Sequence, residues 1–237
     1  MRLLVLAGGF GTRLKEAVAN VPKPLAPIGV TPFLQLQLEH WLDQGLREFV
    51  FLLHHEAEQV IMFLRTQRSV LLRGCQISWL IEPVPLGTGG TLAHAVKTLN
   101  LKDDFLMTNA DTWLGGGMQE MMRSAVPSIA AVNLADVSRY GQMHFNHDLR
   151  IFSFTEKSDQ RSVGWINAGL CHLNANLFEN WDGQPFSLER DLFPTLVQDG
   201  RLTAVPLETK FIDIGVPDDY YRFCQWVAAG RKEPLCT

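Results

Sequence analysis

Short apolar runs alternate with longer stretches in which apolar residues return every three or four positions, and this alternation sets the expected fold. Leu3-Leu-Val-Leu-Ala7 is a continuous apolar run stopped by Gly8-Gly9, the pattern of a strand buried on both faces. From Pro32 to Gly45, the apolar residues Phe33, Leu34, Leu36, Leu38, Trp41 and Leu42 fall mostly at helical spacing. Thr31 is the expected N-cap, Pro32 the first helical residue and Gly45 the stop. Residues 49–53 read as a second buried strand and 56–65 as an amphipathic helix. Residues 76–82 alternate like a strand, Pro85-Leu-Gly-Thr-Gly-Gly90 reads as a loop, 91–97 as a helix and 104–109 as another strand. This β-α-β order predicts a mainly parallel, doubly wound sheet, because a right-handed crossover returns each strand beside an earlier one. Ligands then belong at the carboxyl ends of the strands.

After residue 128 the pattern changes to strands and hairpins at 129–134, 141–145, 151–156 and 165–173, with a turn at Asn146-His-Asp148. A helix over 187–198, strands over 202–207 and 211–214, and a closing helix over 217–229 follow. The expected architecture is one α/β domain over 1–237, with a first half at 1–127 and a β-rich lid or acceptor half at 128–237. A length of 237 residues suits a single large core.

Composition removes several classes of function. A net charge of -4 with scattered Lys and Arg provides no broad positive field for nucleic acid. The apolar run after Met1-Arg2 is too short for a signal peptide, and no stretch approaches the length that spans a bilayer. Cys75, Cys171, Cys224 and Cys236 lie far apart without a C-x-x-C pair, as expected of reduced thiols in a cytoplasm. Adjacent His54 and His55 beside Glu56 lack a third metal ligand at recognisable spacing, and Trp41, Phe49, Phe51 and Trp79 suit core positions.

The chemistry begins where the first strand runs into Leu6-Ala-Gly-Gly-Phe-Gly-Thr-Arg13. Gly8, Gly9 and Gly11 let the backbone approach an anion closely and present its N–H groups, with Arg13 and Lys23 adding fixed positive charge. The loop is neither a Walker A motif nor a good dinucleotide fingerprint, and a bare glycine-rich turn is equally a structural turn. Asp111 ends one apolar strand and Asp213 lies between two isoleucines in another, so each carboxylate would be costly to bury unpaired. Two convergent carboxylates suit Mg²⁺, although an isolated Asn-Ala-Asp-Thr equally describes a cap or a turn. Glu82 can accept from the N1–H and N2 amino group of guanine, yet at a strand end before Pro83 it could also face solvent.

The longer string is more specific. Gly8-Gly-Phe-Gly-Thr-Arg13, Pro22-Lys-Pro-Leu25, Glu82-Pro-Val-Pro-Leu-Gly-Thr-Gly-Gly90, Asn109-Ala-Asp111, Glu156-Lys157, Asn167-Ala-Gly169 and Phe211-Ile-Asp-Ile-Gly215 resemble the sugar-1-phosphate nucleotidyltransferase family across nearly the whole chain. Within it, Pro-Leu-Gly-Thr-Gly-Gly together with Phe186-Ser-Leu-Glu-Arg-Asp-Leu-Phe193 and Phe211-Ile-Asp-Ile-Gly-Val-Pro-Asp-Asp-Tyr220 most resembles the D-glycero-D-manno-heptose 1-phosphate guanylyltransferases. The resemblance implies a Rossmann-like three-layer α/β sandwich with a mainly parallel mixed sheet.

The resemblance also implies a site. Leu6, Ala7, Gly8, Gly9, Gly11, Thr12, Arg13, Lys23, Glu82, Pro85, Gly87, Thr88 and Asn109 would bind the nucleotide. Arg13 would hold the β- and γ-phosphates, Lys23 the α-phosphate and Lys157 the phosphate of the sugar. Gly141, Glu156, Asn167 and Gly169 would contact the sugar, and Asp111 and Asp213 would hold Mg²⁺. Asn109-Ala110-Asp111 departs from the commoner N-G-D, and Glu156-Lys157-Ser158 from E-K-P. The extra bulk of Ala110 is expected to alter the local backbone. Partners would be a nucleoside triphosphate and a sugar 1-phosphate, with neither nucleic acid nor membrane, and with a homodimer as one assembly the sequence leaves open. GTP with a heptose 1-phosphate is the preferred pair. UTP, dTTP or CTP with a hexose, amino sugar or other phosphorylated acceptor is the near alternative, and a silent nucleotide-sugar-binding regulator the distant one.

Overall fold

The computed structural model describes residues 1–19, 21–155 and 161–231. In chain order its elements are β1 (Arg2–Leu6), β2 (Pro27–Ile28), β3 (Thr31–Pro32), α1 (Phe33–Asp43), β4 (Glu48–Leu53), α2 (Ala57–Gln67), β5 (Gln76–Ile81), α3 (Gly87–Thr98) and β6 (Asp104–Asn109). Then come β7 (Thr112–Leu114), α4 (Met118–Arg123), β8 (Ser128–Leu134), β9 (Gln142–Phe145), β10 (Ile151–Thr155) and β11 (Gly164–Asn174). The chain continues with α5 (Phe193–Gln198), β12 (Thr203–Leu207), β13 (Phe211–Asp213) and α6 (Pro217–Ala228). The Rossmann-like α/β expectation holds, with a mixed sheet flanked by helices.

Two compact units interleave along the chain. The first takes, among the described residues, Met1–Pro85, Thr108–Gly115 and 210–231. Its β1 and β4 pair in parallel with Leu3 opposite Phe49, and β4 pairs in parallel with β5. The apolar run of β1 is continuous because Leu3, Leu4 and Val5 are all fully covered, as a central strand demands. A second core of this unit gathers Leu14, Val18, Phe33, Leu36, Trp113, Ile212, Ile214, Phe223 and Trp226. That core matters for the site because it anchors the chain leaving the glycine loop, through Leu14 and Val18, and the antiparallel ribbon of β7 and β13.

The second unit takes Leu86–Met107 and Gly116–Thr209. Here β11 lies antiparallel to β8 and β9, while β12 returns parallel to β8. Ile129, Ala130 and Ala131 of β8 and Ile166, Ala168 and Leu170 of β11 supply its apolar centre.

Several local expectations change. Thr31 and Pro32 do not cap and open α1; they pair with Pro27 and Ile28, and the helix starts at Phe33, whose N–H donates to Ala26 O. Glu56 takes a left-handed conformation, so α2 begins one residue later. The Pro85–Gly90 loop is shorter than expected, because Gly87 to Gly90 already form the first turn of α3. The helix expected over 187–198 is two pieces: a wide turn at Leu188–Leu192, with Leu192 N–H reaching Ser187 O, followed by α5. Trp79 is half-buried on β5 with the Arg65 guanidinium 5.6 Å from its ring centre, whereas Trp41, Phe49 and Phe51 are core. Cys75, Cys171 and Cys224 are free thiols, and Cys236 lies outside the described residues. Among the described residues no helix is long and apolar enough to cross a membrane.

Candidate active site

The glycine loop leaves β1 at the carboxyl end, as expected, while Ala7 N–H is still bonded to Leu52 O of β4 at 2.9 Å. Gly8 O accepts from His55 N–H and Gly11 O from Leu14 N–H, which turns the chain back toward the core. Thr12 and Arg13 are exposed, while Leu14 next to them is buried. A charged residue is thus displayed from an anchored turn rather than from a free loop. Lys23 opens a short 3₁₀ turn at Lys23–Leu25, with Pro24 buried beneath it.

Lys23, Asp111 and Asp213, far apart in sequence, meet in the first unit. Lys23 Nζ lies 2.5 Å from Asp111 Oδ2 and 3.9 Å from Asp213 Oδ1. Asp213 sits opposite Thr112 in the ladder of β13 and β7, and Ile214 N–H donates to Asp111 O at 2.9 Å, so main-chain bonds fix the pair. Burial, followed by the nearby Asp111 carboxylate, pushes the Asp213 carboxyl above its ordinary value against the pull of Lys23, Gly215 N–H and Arg13. Arg13 is therefore within electrostatic reach of the same group. Sequence reasoning left Gly215 out of the site. Its N–H donates to Asp213 Oδ1 at 2.7 Å, and a methyl at this position would stand 2.5 Å from Lys23 Nζ. The signal was present in Phe211-Ile-Asp-Ile-Gly215, where the glycine follows the aspartate by two residues.

Glu82 is buried rather than facing solvent, which removes that alternative. Its N–H bonds Leu53 O and its carbonyl accepts from His54 Nδ1, so the strand end carrying it is pinned to β4. His54 is occupied in this contact, and His55 reaches Glu56 at 3.9 Å. Among the described residues no group of three metal-type side chains forms. Leu6 and Asn109 end β1 and β6, and Ala110 N–H donates to Leu6 O. Ala110 is buried and does not have a positive φ. Pro85 is exposed at the end of this unit.

In the second unit, Gly87 and Thr88 open α3. Phe186 O accepts from both Gly89 N–H and Gly90 N–H, and Phe186 N–H returns to Leu86 O. Thr88 Oγ1 donates to Glu189 Oε2 at 2.7 Å and accepts from Leu188 N–H at 2.9 Å. The hydroxyl expected at a nucleotide is thus engaged within the protein, and the two motifs Pro-Leu-Gly-Thr-Gly-Gly and Phe-Ser-Leu-Glu-Arg-Asp bind each other. Asn167 lies within β11. Its Oδ1 accepts from Gly169 N–H at 2.9 Å, where the register against β8 shifts. Gly141 is exposed just before β9. Glu156 and Lys157 fall outside the described residues.

The sequence matches the nucleotidyl transferase family over residues 2–229. The chain belongs to that family. The matching relatives of this nucleotidyltransferase include the D-glycero-alpha-D-manno-heptose 1-phosphate guanylyltransferase of Campylobacter jejuni. The two are 30% identical over 228 residues, covering 94% of this chain and 98% of the relative. The catalytic subunit beta of mannose-1-phosphate guanylyltransferase from Drosophila melanogaster is 29% identical over 239 residues, covering 98% of this chain but 64% of the relative. Among solved structures, HddC from Yersinia pseudotuberculosis superposes with a TM-score of 0.83 at 32% identity, over 95% of this chain and 99% of that one. A second HddC structure, complexed with GMP-PN, gives 0.81 at 31% identity. This nucleotidyltransferase is therefore an enzyme by class, and its matching relatives include sugar-1-phosphate nucleotidyltransferases.

Proposed function

We propose that the enzyme transfers GMP from GTP to a sugar 1-phosphate, with D-glycero-D-manno-heptose 1-phosphate as the preferred acceptor, and releases pyrophosphate. The observation that carries the reaction type is the meeting of Lys23, Asp111 and Asp213 at main-chain-fixed positions within reach of Arg13. A nucleotidyl transfer needs cations and backbone donors around phosphorus rather than a covalent nucleophile, because the sugar phosphate arrives already ionised. Arg13 and Lys23 provide fixed cations, Arg13 for the leaving β- and γ-phosphates and Lys23 for the α-phosphate. The glycine loop presents its backbone to the same anions. Lys157, in the second half of the chain, is assigned to the phosphate of the sugar, with Gly141, Glu156, Asn167 and Gly169 around the sugar itself.

Asp111 and Asp213 are proposed to hold Mg²⁺. The donors fit: two carboxylates share one region, and the Asp213 carboxyl, raised first by burial and then by the Asp111 charge, meets a repulsion there that a small dication relieves. Bound there, Mg²⁺ supplies Lewis-acid charge against phosphate oxygens. Replacing Asp111 with asparagine is expected to abolish turnover while keeping the melting temperature within a few degrees. Undiminished turnover would remove the metal role.

The preference for guanine is supported by the near full-length match to a heptose 1-phosphate guanylyltransferase and by the buried position of Glu82. The mannose-1-phosphate guanylyltransferase relatives favour a second acceptor, a hexose 1-phosphate with the same base. Pyrophosphate release measured with GTP, UTP, dTTP and CTP, each with heptose and mannose 1-phosphates, tests both points. Activity with a pyrimidine triphosphate alone sinks the guanylyl assignment. Binding of nucleotide and sugar phosphates without pyrophosphate release in any combination supports a silent regulator instead. Service in capsule or lipopolysaccharide synthesis and a cytoplasmic location follow from the heptose reading.

A further inference from the structure

Two polar side chains unused by the transfer scheme lie one turn apart on α1. Gln37 is 1% exposed, surrounded along its helix by buried Phe33, Leu34, Leu36, Leu38 and Trp41. A buried amide is costly unless it is hydrogen-bonded, and Gln37 Nε2 donates to the main-chain oxygen of Thr112 at 2.9 Å. Three residues further, on the same helix face, His40 Nε2 lies 2.9 Å from the main-chain oxygen of Leu114. The His40 ring stacks on Trp113 with centres 4.6 Å apart. A carbonyl only accepts, so Nε2 carries the proton in this contact. Burial, the main cause, holds the ring below its usual pKa, consistent with a neutral imidazole protonated at Nε2.

The target of both bonds is the strand that follows Asp111. Alternate carbonyls along a strand leave from the same edge, so those of Thr112 and Leu114 face α1 while the other edge of β7 pairs with β13. An isolated two-stranded ribbon is marginal. This one carries Asp111 at the entry to β7 and Asp213 opposite Thr112. Gln37 and His40 thus occupy the edge where a third strand would otherwise stand.

We propose that Gln37 and His40 are positioning residues for nucleotidyl transfer, clamping the outer edge of β7 and so fixing the spacing of the Asp111 and Asp213 carboxylates. The inference rests on those two aspartates being the metal-holding pair. The test uses the full chain and three variants: Gln37→Met, which keeps length and loses the donor; His40→Phe, which keeps the ring; and His40→Gln, which keeps an N–H donor. Binding of Mn²⁺ is followed through the electron paramagnetic resonance of the free ion, with the triphosphate the enzyme uses and no sugar phosphate. Melting temperature and the Mg²⁺ concentration for half-maximal turnover are measured alongside.

Gln37→Met and His40→Phe are expected to weaken Mn²⁺ binding and raise the Mg²⁺ requirement by about tenfold, the scale of outer partners of metal ligands. His40→Gln should return both to within about threefold of the native protein. If one donor-deleting variant fails to fold, the other decides. Lower melting temperatures with Mn²⁺ affinity within about threefold of native would show a merely structural role and overturn the proposal. Asp111→Asn separates the two readings: native Mn²⁺ binding in that variant defeats the metal pair itself. Loss there with no shift in Gln37→Met and His40→Phe defeats the clamp alone.

Discussion

Replacing Gly215 with alanine tests whether Lys23 works from the position in which the structure holds it. The new methyl would stand 2.5 Å from Lys23 Nζ and 2.7 Å from Asp213 Oδ1, well inside the roughly 3.5 Å of ordinary non-bonded contact. Gly215 does not have a positive φ, so the backbone itself accepts alanine. The strain must be relieved by what can move, the flexible end of Lys23 and, beside it, the Asp213 carboxylate. Taking Nζ from 2.5 Å to about 4 Å from Asp111 Oδ2 removes about 2–3 kcal/mol of attraction at an effective dielectric near 20. The lysine and Asp111 side chains are 12% and 30% exposed, so solvent screening reduces the effect on folding to about 1 kcal/mol. Losing a preorganised cation at the reacting phosphate has a larger effect, a drop in kcat of about 10²–10³. Pyrophosphate release at saturating substrates and Mg²⁺, beside urea denaturation, measures both quantities. A kcat within threefold of native refutes the argument. So does a loss of several kcal/mol of stability with kcat preserved, since the backbone would then have yielded instead of Lys23.

Gly87→Ala should be a stability lesion. Its φ of +73 disfavours a side chain and the methyl would meet Phe186 O at 2.6 Å, a backbone atom that cannot swing away. A loss of about 2–4 kcal/mol is expected from strain and overpacking together, read by urea denaturation. At neighbouring Gly89 the methyl would stand 2.2 to 2.7 Å from three atoms of the Phe186 ring, among them Cζ on the ring's own rotation axis, so the whole ring must be displaced; alanine's helix propensity returns about 1 kcal/mol, and Gly89→Ala should still be destabilising. Acid pH should weaken the fold through His172. Burial lowers its pKa from 6.5, so below that pH the unfolded chain takes up a proton that the folded chain resists. Stability from this group is full above pH 6.5 and falls as pH drops toward the folded value. Melting temperatures between pH 7.5 and 5.5 should fall less steeply in His172→Gln than in native protein, and parallel curves would exclude the histidine. Asp213, whose pKa is raised, acts in the opposite sense, adding stability as pH falls through its folded value.

Much of the framework is local and was legible in the chain. A strand buried on both faces must be apolar throughout, which is why β1 and β4 are visible as runs of Leu, Val and Phe. A strand ending in glycines must turn, so the place of the phosphate loop follows from the sequence too. The family motifs mark Lys23, Asp111 and Asp213 one at a time. Periodicity fails where backbone conformation depends on a distant partner. Gly87 to Gly90 look like loop residues, yet they start a helix because Phe186 O receives the N–H groups of Gly89 and Gly90. The segment from Leu188 has helical periodicity, yet it widens by one residue per turn where its start is tied to Thr88.

The sequence by itself determined which residues carry charge, where the main strands end and which reaction class suits a glycine loop with nearby cations. Only the tertiary structure decided that Asp111 and Asp213 converge on Lys23, that Gly215 leaves room for them, and that Gln37 and His40 reach the strand between. The physical reason is that local pattern reports the burial each residue seeks for itself. The distance between two carboxylates is instead set by the ladder of β7 and β13 and by the α1 side chains that hold its edge, contacts that no spacing along the chain encodes.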